Sequence, residues 1–443
     1  MVPPPANLSP QQASEVTPSS GNINSEGDED DKDCIHLAWN QPGMYAGFDL
    51  SCMIETSNEF VRIKRRIPYP LVKDTIPSSI LKNYVDLNCK YADITPELQQ
   101  LAQSLVETTG NTPISGDNPS PLPNDLFRAV FQLADWINCN IRYSLVTMGL
   151  PQIQTATQVL ASRYGKCDEM SALFVSMCRA VGIPARFVSG WAYTDNDVLF
   201  DEPWGGHVWA EVYFPEEGDD GGGIWVPFDV TYGQLGFLDA GHVLLQTSAD
   251  VVESNVEYSA QGRDFQCLRP KALECVVQPQ PQAFGAPYTS GVGQQPLIDI
   301  TLEAPIDRIG FGSAVVVLAT VRNNEDYYVA TRLDLGKTEY TGILNNINYH
   351  WEGVGKGRSR KENDEKLMFM LEPRSTQTIP IVLQIFPNSE QSSEYVYQFP
   401  FLLMSNLAGK PKGEIMLQVG GHDAPIYDAE DCFHPVDGSI IIP

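Results

Sequence analysis

Between residues 95 and 250 the apolar positions change period once, from helical spacing to alternation, and the change divides this stretch into two kinds of element. Thr95-Pro96-Glu97 opens a helix, with a capping threonine, proline at the first helical position and an acidic first turn. Leu98, Leu101 and Leu105 give that helix one apolar face, and Gly110 ends it. A loop of Gly, Pro, Asn and Ser covers 110–124. A second helix starts near Asp125 on the stripe Phe127, Val130, Phe131, Ala134 and Ile137. Residues 155–184 predict a short helix, a turn at Gly165 and a third helix from Cys167. The third helix carries Met170, Leu173, Phe174 and Met177 on one face and is closed by Gly182 and Pro184. From Ala185 the period is that of a strand. Ala185–Tyr193 is one strand, His207–Phe214 a half-buried one, 216–223 an acidic glycine hairpin turn, and Ile224–Asp229 the returning strand.

The flanks differ in texture. Residues 1–33 are polar and acidic, and are expected to form a disordered tail. Residues 34–94 are expected to be β-rich, with Phe60-Val-Arg-Ile-Lys alternating before prolines 68, 70 and 77 interrupt it. The core spans 95–275, and the Pro/Gln/Gly stretch 276–297 reads as a linker. Beyond it, 298–443 holds short strands at regular spacing, the pattern of a β-sandwich. The basic loop 356–366 is expected to be a solvated hairpin loop. The class is α+β.

Charge narrows the partners. The chain has 29 basic and 56 acidic residues, a net charge of −27, which repels phosphate backbones and anionic headgroups. No nucleic-acid partner is expected, and no apolar run is long enough for a transmembrane segment. Localisation stays open: cytoplasmic if Met1 is the native start, extracytoplasmic if a signal or anchor has been removed ahead of it. Nine cysteines contain no CxxC pair, so no zinc site is expected. Apart from Cys167, the other eight are enough for disulfides in an oxidising compartment, with buried free thiols as the plainer reading.

Cys167 stands out because it begins a helix. A helix start gathers unsatisfied N–H groups and the positive end of the dipole, which favours a reactive thiolate. A nucleophilic cysteine needs a base and a group to orient that base. Each candidate alone has a plain structural explanation: a lone cysteine or histidine is usually core or surface, and Asp229 before Val-Thr could cap a turn. Asp168 and Glu169 suit the dipole yet oppose a thiolate next door, so a charged histidine is needed to offset them. The Cys167 amide could receive an oxyanion, with Gln158, Trp136 and Tyr143 as candidates for a second donor.

Three motifs in this order resemble the transglutaminase-like superfamily of papain-like thiol enzymes, nearest its prokaryotic members. They are Gly165-Lys-Cys167 with the helical Ala172-Leu-Phe and Arg179 through Arg186; His207-Val-Trp209-Ala-Glu211-Val-Tyr213; and Trp225-Val-Pro-Phe-Asp229-Val-Thr231. The resemblance covers roughly 95–250. It implies a papain-like core of helices on an antiparallel sheet, with Cys167 as nucleophile, His207 as base and Asp229 orienting it. A C-terminal β-sandwich is also similar to transglutaminase architecture. Asp168 stands where clotting-type transglutaminases carry tryptophan, and their calcium sites have no counterpart motif, so no metal or cofactor is implied. The expected function is attack on an amide of a protein or peptide substrate through a Cys167 thioester. Water would resolve it in a protease or amidase, and an amine in a transglutaminase. Deglycosylation by the same triad is a further possibility, and the alternative is a non-catalytic binding or scaffolding protein on this fold. A protein partner is a candidate role for the sandwich.

Overall fold

A computed structural model describes residues 12–18, 22–23, 37–38, 50–56, 59–85, 88–107, 125–149, 152–193, 204–215, 222–252, 298–335, 343–349, 366–387, 393–403 and 412–428. The expected linker 276–297, the hairpin turn at 216–221 and most of the basic loop fall outside these residues.

The N-terminal part holds strands β1 (Gln12–Pro18), β2 (Asn22–Ile23), β3 (Leu37–Ala38), β4 (Leu50–Glu55) and β5 (Glu59–Phe60). β1 pairs antiparallel with β4, so the tail expected to lack structure contributes a strand: partners from Pro18↔Leu50 to Gln12↔Glu55, 32 to 43 residues apart in sequence, satisfy its backbone groups. The alternation at Phe60-Val-Arg-Ile-Lys forms only a brief ladder, because its partners are not local. β5 pairs with β12 (Phe237–Leu238), then Val61 N–H donates to Gly236 O and Ile63 O accepts from Tyr328 N–H. This segment is a seam between the core and the C-terminal domain. The region expected to be β-rich also contains helix α1 (Ser78–Tyr84).

The core is built as the apolar pattern predicts. α2 (Pro96–Glu107) buries Leu98, Ala102, Leu105 and Val106. α3 (Leu126–Asn140) is capped by the Asp125 carboxylate, which accepts from Phe127 N–H at 2.9 Å. After β6 (Arg142–Tyr143), α4 (Ala156–Ser162) begins on a capping box between Thr155 and Gln158. β7 (Tyr164–Gly165) pairs with β6 and leads into α5 (Cys167–Ala180), buried along almost its whole length. The sheet consists of β8 (Ala185–Tyr193), β9 (Trp204–Pro215), β10 (Gly223–Asp229), β11 (Gln234–Leu235) and β13 (His242–Ser248), in the order β11-β10-β9-β8-β13, all antiparallel. α5 lies between this sheet and helices α2, α3 and α4. Ser171 Oγ donates to Val208 O (3.1 Å), and the Arg179 guanidinium donates to the carbonyls of Ala185 and Ala249. The helix is thus tied to β9 near its start and to β8 near its end.

The C-terminal domain is a sandwich. β14 (Ile298–Glu303), β16 (Ala314–Asn323), β18 (Leu344–Tyr349) and β20 (Thr376–Ile385) form one sheet, in the order β14-β16-β20-β18. β15 (Arg308–Ile309), β17 (Val329–Leu335), β19 (Lys366–Leu371), β21 (Glu394–Leu403) and β22 (Lys412–Gly420) form the other, in the order β15-β22-β21-β17-β19. Val317, Ile381, Phe369, Phe399 and Leu417 fill the space between them. This domain packs on the core. Tyr328, Ala330, Met368 and Met370 join the apolar cluster of the helices, and Tyr328 stacks on Phe127 with ring centres 5.1 Å apart. The Tyr328 hydroxyl donates to the buried Asp125 carboxylate, while Arg66 and Arg128 both reach Glu372.

Candidate active site

Cys167 is the first residue of α5 and is half-buried. Its N–H is therefore among those the helix leaves without an internal acceptor. Gly165 makes the approach possible, because a Cβ there would lie 3.1 Å from Glu169 Cβ. The two carboxylates that follow do not both confront the sulfur. Asp168 pairs with Lys166 and accepts from Glu169 N–H, and Glu169 turns back to accept from Gln154 N–H (2.9 Å) and Lys166 N–H (3.0 Å). The offset expected from a charged histidine alone is thus shared with Lys166.

His207 and Asp229 arrive from neighbouring strands. Asp229 ends β10, and His207 lies on β9 next to the edge where β10 terminates. His207 Nε2 lies 2.6 Å from Asp229 Oδ2, both groups buried. Asp229 Oδ1 accepts from Thr231 N–H (2.8 Å) and Tyr232 N–H (3.0 Å), which fixes the carboxylate. The Cys167 side chain also acts on His207 and favours its charged form. Burial opposes a charge on His207, but the Asp229 carboxylate and then the Cys167 sulfur outweigh it and push its pKa up to about 10. Burial likewise opposes ionisation of Asp229, yet His207 and His242 hold it well below the ordinary carboxylate range. Trp209 stacks against His207 at 5.9 Å between ring centres. Gly190, opposite His207 on β8, leaves room for that indole: a Cβ would come within 2.9 Å of it and 2.1 Å of Val243 O.

The proposed second oxyanion donors separate. Tyr143 lies on β6 beside Gly165, and its phenol is kept protonated by burial and then by the charge of Cys167, Tyr232, Asp168 and Asp229. A protonated phenol within electrostatic reach of Cys167 is a candidate donor. Gln158 is exposed, and its side chain accepts from Thr155 N–H (2.9 Å) in the capping box. That use was legible in Thr155-x-x-Gln158 itself. The side-chain oxygen of Gln158 is thus committed to the start of α4. Trp136 is buried on α3 with the Arg163 guanidinium over its ring at 5.0 Å.

One residue of the site went unread in the sequence. His242, the first residue of β13, places Nε2 3.1 Å from Asp229 Oδ2 and Nδ1 2.9 Å from Asp239 Oδ1. The only local signal was Asp239-Ala-Gly-His242, a carboxylate three residues before a histidine in a turn. His207, Asp229 and His242 each offer a ligand atom within 4.8 Å of the others. In this arrangement those atoms are joined by hydrogen bonds and hold protons, which a metal would have to displace. No metal is assigned to them.

A cysteine at a helix start, an imidazole that responds to its sulfur and a buried carboxylate bonded to the imidazole are the residue types of a candidate thiol site, set on a papain-like α+β core. Residues 118–230 match the transglutaminase-like superfamily, and the chain carries a transglutaminase-like domain over that stretch. It is 39% identical over 67 residues to the human peptide-N(4)-(N-acetyl-beta-glucosaminyl)asparagine amidase, covering 15% of this chain and 8% of that protein. It is 30% identical over 140 residues to the uncharacterised protein Mb2599c of Mycobacterium bovis, covering 30% of this chain and 42% of that one. The chain thus spans less than half the length of either relative. Among solved structures it is similar to the red sea bream transglutaminase, with a TM-score of 0.25 and 13% identity over 78% of this chain and 64% of that one.

Proposed function

We propose that the protein is a cysteine hydrolase acting on amide bonds of peptide or protein substrates. The observation that carries this reading is the buried pair of His207 Nε2 and Asp229 Oδ2 at 2.6 Å, with the Cys167 side chain acting on the same imidazole. His207 takes the thiol proton, and the sulfur attacks the carbonyl carbon. The oxyanion is received by the Cys167 N–H and the Tyr143 hydroxyl. The C–N bond breaks as His207 passes its proton to the leaving amine, and a thioester remains on Cys167. Water then attacks, giving up a proton to His207, and the acid departs as the sulfur is reprotonated. Asp229 stays ionised throughout, holding the tautomer and the charge of His207.

Hydrolysis is preferred to acyl transfer because water is always at hand and no sequence feature marks a site for an amine. A second reading has its own support: the human relative bears the name of an asparagine-glycan amidase, and the same thiol chemistry would serve there. The test is incubation with peptide amides, an N-glycopeptide and a labelled primary amine, followed by intact mass measurement. A Cys167-dependent acyl adduct and release of free acid are expected. Amine incorporation would instead assign acyl transfer, and full activity in Cys167→Ala would overturn the site.

A further inference from the structure

Asp229 does not face His207 alone. The same oxygen, Oδ2, is shared by His207 Nε2 at 2.6 Å and His242 Nε2 at 3.1 Å. On its far side His242 meets Asp239 Oδ1 at 2.9 Å through Nδ1. Asp239 is itself held: Gln234 Nε2 donates to its Oδ2, Gly241 N–H donates to its Oδ1 (2.9 Å), and its own N–H donates to Gln234 Oε1 (2.9 Å). All four side chains of the line Asp239, His242, Asp229 and His207 are buried.

The chemistry of an imidazole between two carboxylates is restrictive. A neutral ring carries one N–H and one lone pair, so it can donate to only one neighbour and would point its lone pair at the other. With a carboxylate at each nitrogen, both contacts are hydrogen bonds only if the ring carries two protons. We infer that His242 is a positioning residue held as an imidazolium by Asp239, and that through Asp229 it sets how tightly His207 keeps its proton. The inference rests on the thiol–imidazole reading of the site.

The reason for such a device lies in the base's two tasks. A buried carboxylate bonded to His207 alone would make the imidazolium too stable to return its proton to a leaving amine. A second cation on the same oxygen shares that carboxylate's charge and repels the His207 charge, so the proton is released more readily. The charged and titratable groups facing His242 are Asp229 on β10, Asp239 in its own turn, His207 on β9 at 5.7 Å between ring centres, and Tyr232 at 5.5 Å. Trp209 completes the wall as an apolar face at 5.3 Å. Burial opposes a charge on His242, and the hydrogen bonds and charges of Asp229 and Asp239 outweigh it, so its pKa is raised.

The test reads the pH dependence of Cys167 alkylation by iodoacetamide on the full chain, which needs no substrate. The limb to follow in the wild-type protein is the one that His207→Ala abolishes. In His242→Gln the amide can still donate to Asp229 but carries no charge, and that limb is expected to move to higher pH. Unit charges 5.7 Å apart at an effective dielectric between about 20 and 80 give a move of roughly 0.5–2 pH units. Asp239→Asn, which releases the second proton of His242, is expected to move the limb the same way by less. Nitrogen shifts of 15N-histidine, assigned with His242→Gln, are expected to show two protonated nitrogens on His242 at neutral pH. A limb that His242→Gln leaves in place, or a neutral His242, overturns the inference alone. A wild-type protein without a His207-dependent limb overturns the catalytic reading and the inference with it.

Discussion

Asp229→Asn changes one buried atom from an acceptor to a donor and leaves the shape almost untouched. The asparagine oxygen can still accept from Thr231 and Tyr232 N–H at 2.8 and 3.0 Å, so the turn after β10 is retained. Its amide nitrogen then faces both His207 Nε2, 2.6 Å from the oxygen it replaces, and His242 Nε2, 3.1 Å from it, and has one N–H for each ring. Two donors cannot share that space, so His207 must present its Nε2 lone pair and carry its single proton on Nδ1, toward the sulfur. The base is then in the wrong tautomer. The pKa of His207 stands at about 10 against an ordinary 6.5, more than a thousandfold in proton affinity, and Asp229 is the main favourable cause. Losing it removes most of the pull that lets His207 hold a proton against the sulfur, and a positioned base contributes about 10²–10⁴-fold. Alkylation of Cys167 by iodoacetamide at pH 6 is therefore expected to slow by about 10²-fold. Amide turnover is expected to fall by about 10⁴-fold, as when the same change is made in a serine triad. The assay is mass spectrometry of the alkylated protein against time, with circular dichroism to confirm the fold. Alkylation at the wild-type rate at pH 6 would refute the reasoning.

The remaining predictions concern stability. Glu169→Ala removes the buried acceptor for Gln154 and Lys166 N–H and is expected to cost about 2–5 kcal/mol in a urea titration; a loss under 0.5 kcal/mol would show those donors finding water. Tyr328→Phe strips the Asp125 carboxylate of a donor at the seam between core and sandwich, and a lowered urea midpoint worth about 1–3 kcal/mol is expected. His207, whose pKa is raised by folding, contributes stability that is complete below about pH 6.5 and lost as pH rises toward about 10. Denaturant midpoints should therefore fall over that alkaline window, and more shallowly in His207→Ala.

Local pattern alone determined much of this protein. The apolar positions Phe127, Val130, Phe131, Ala134 and Ile137 located α3, and the alternation from His207 to Phe214 located most of β9. The fold corrects the expected half-burial of that strand, because β9 lies inside the sheet under α5 and buries both faces from Trp209 to Phe214. The three motifs, each short and continuous, marked Cys167, His207 and Asp229 before any geometry was known. Glu211 and Arg186, also motif residues, pair across adjacent strands under the Trp225 ring rather than joining the site. Tertiary structure decided whatever depends on partners distant in the chain. Phe60 to Lys64 alternates like a strand of a small domain, yet its partners are Gly236 and Tyr328, more than 170 residues on. Gln158 carries an amide, and the capping box at the start of α4 takes up its oxygen. His242 had no periodic or motif signal, since its role depends on β13 crossing to the far edge of β8 and returning its first residue to Asp229. Period and motif are properties of neighbours in sequence, whereas a shared carboxylate is a property of how the sheet is ordered.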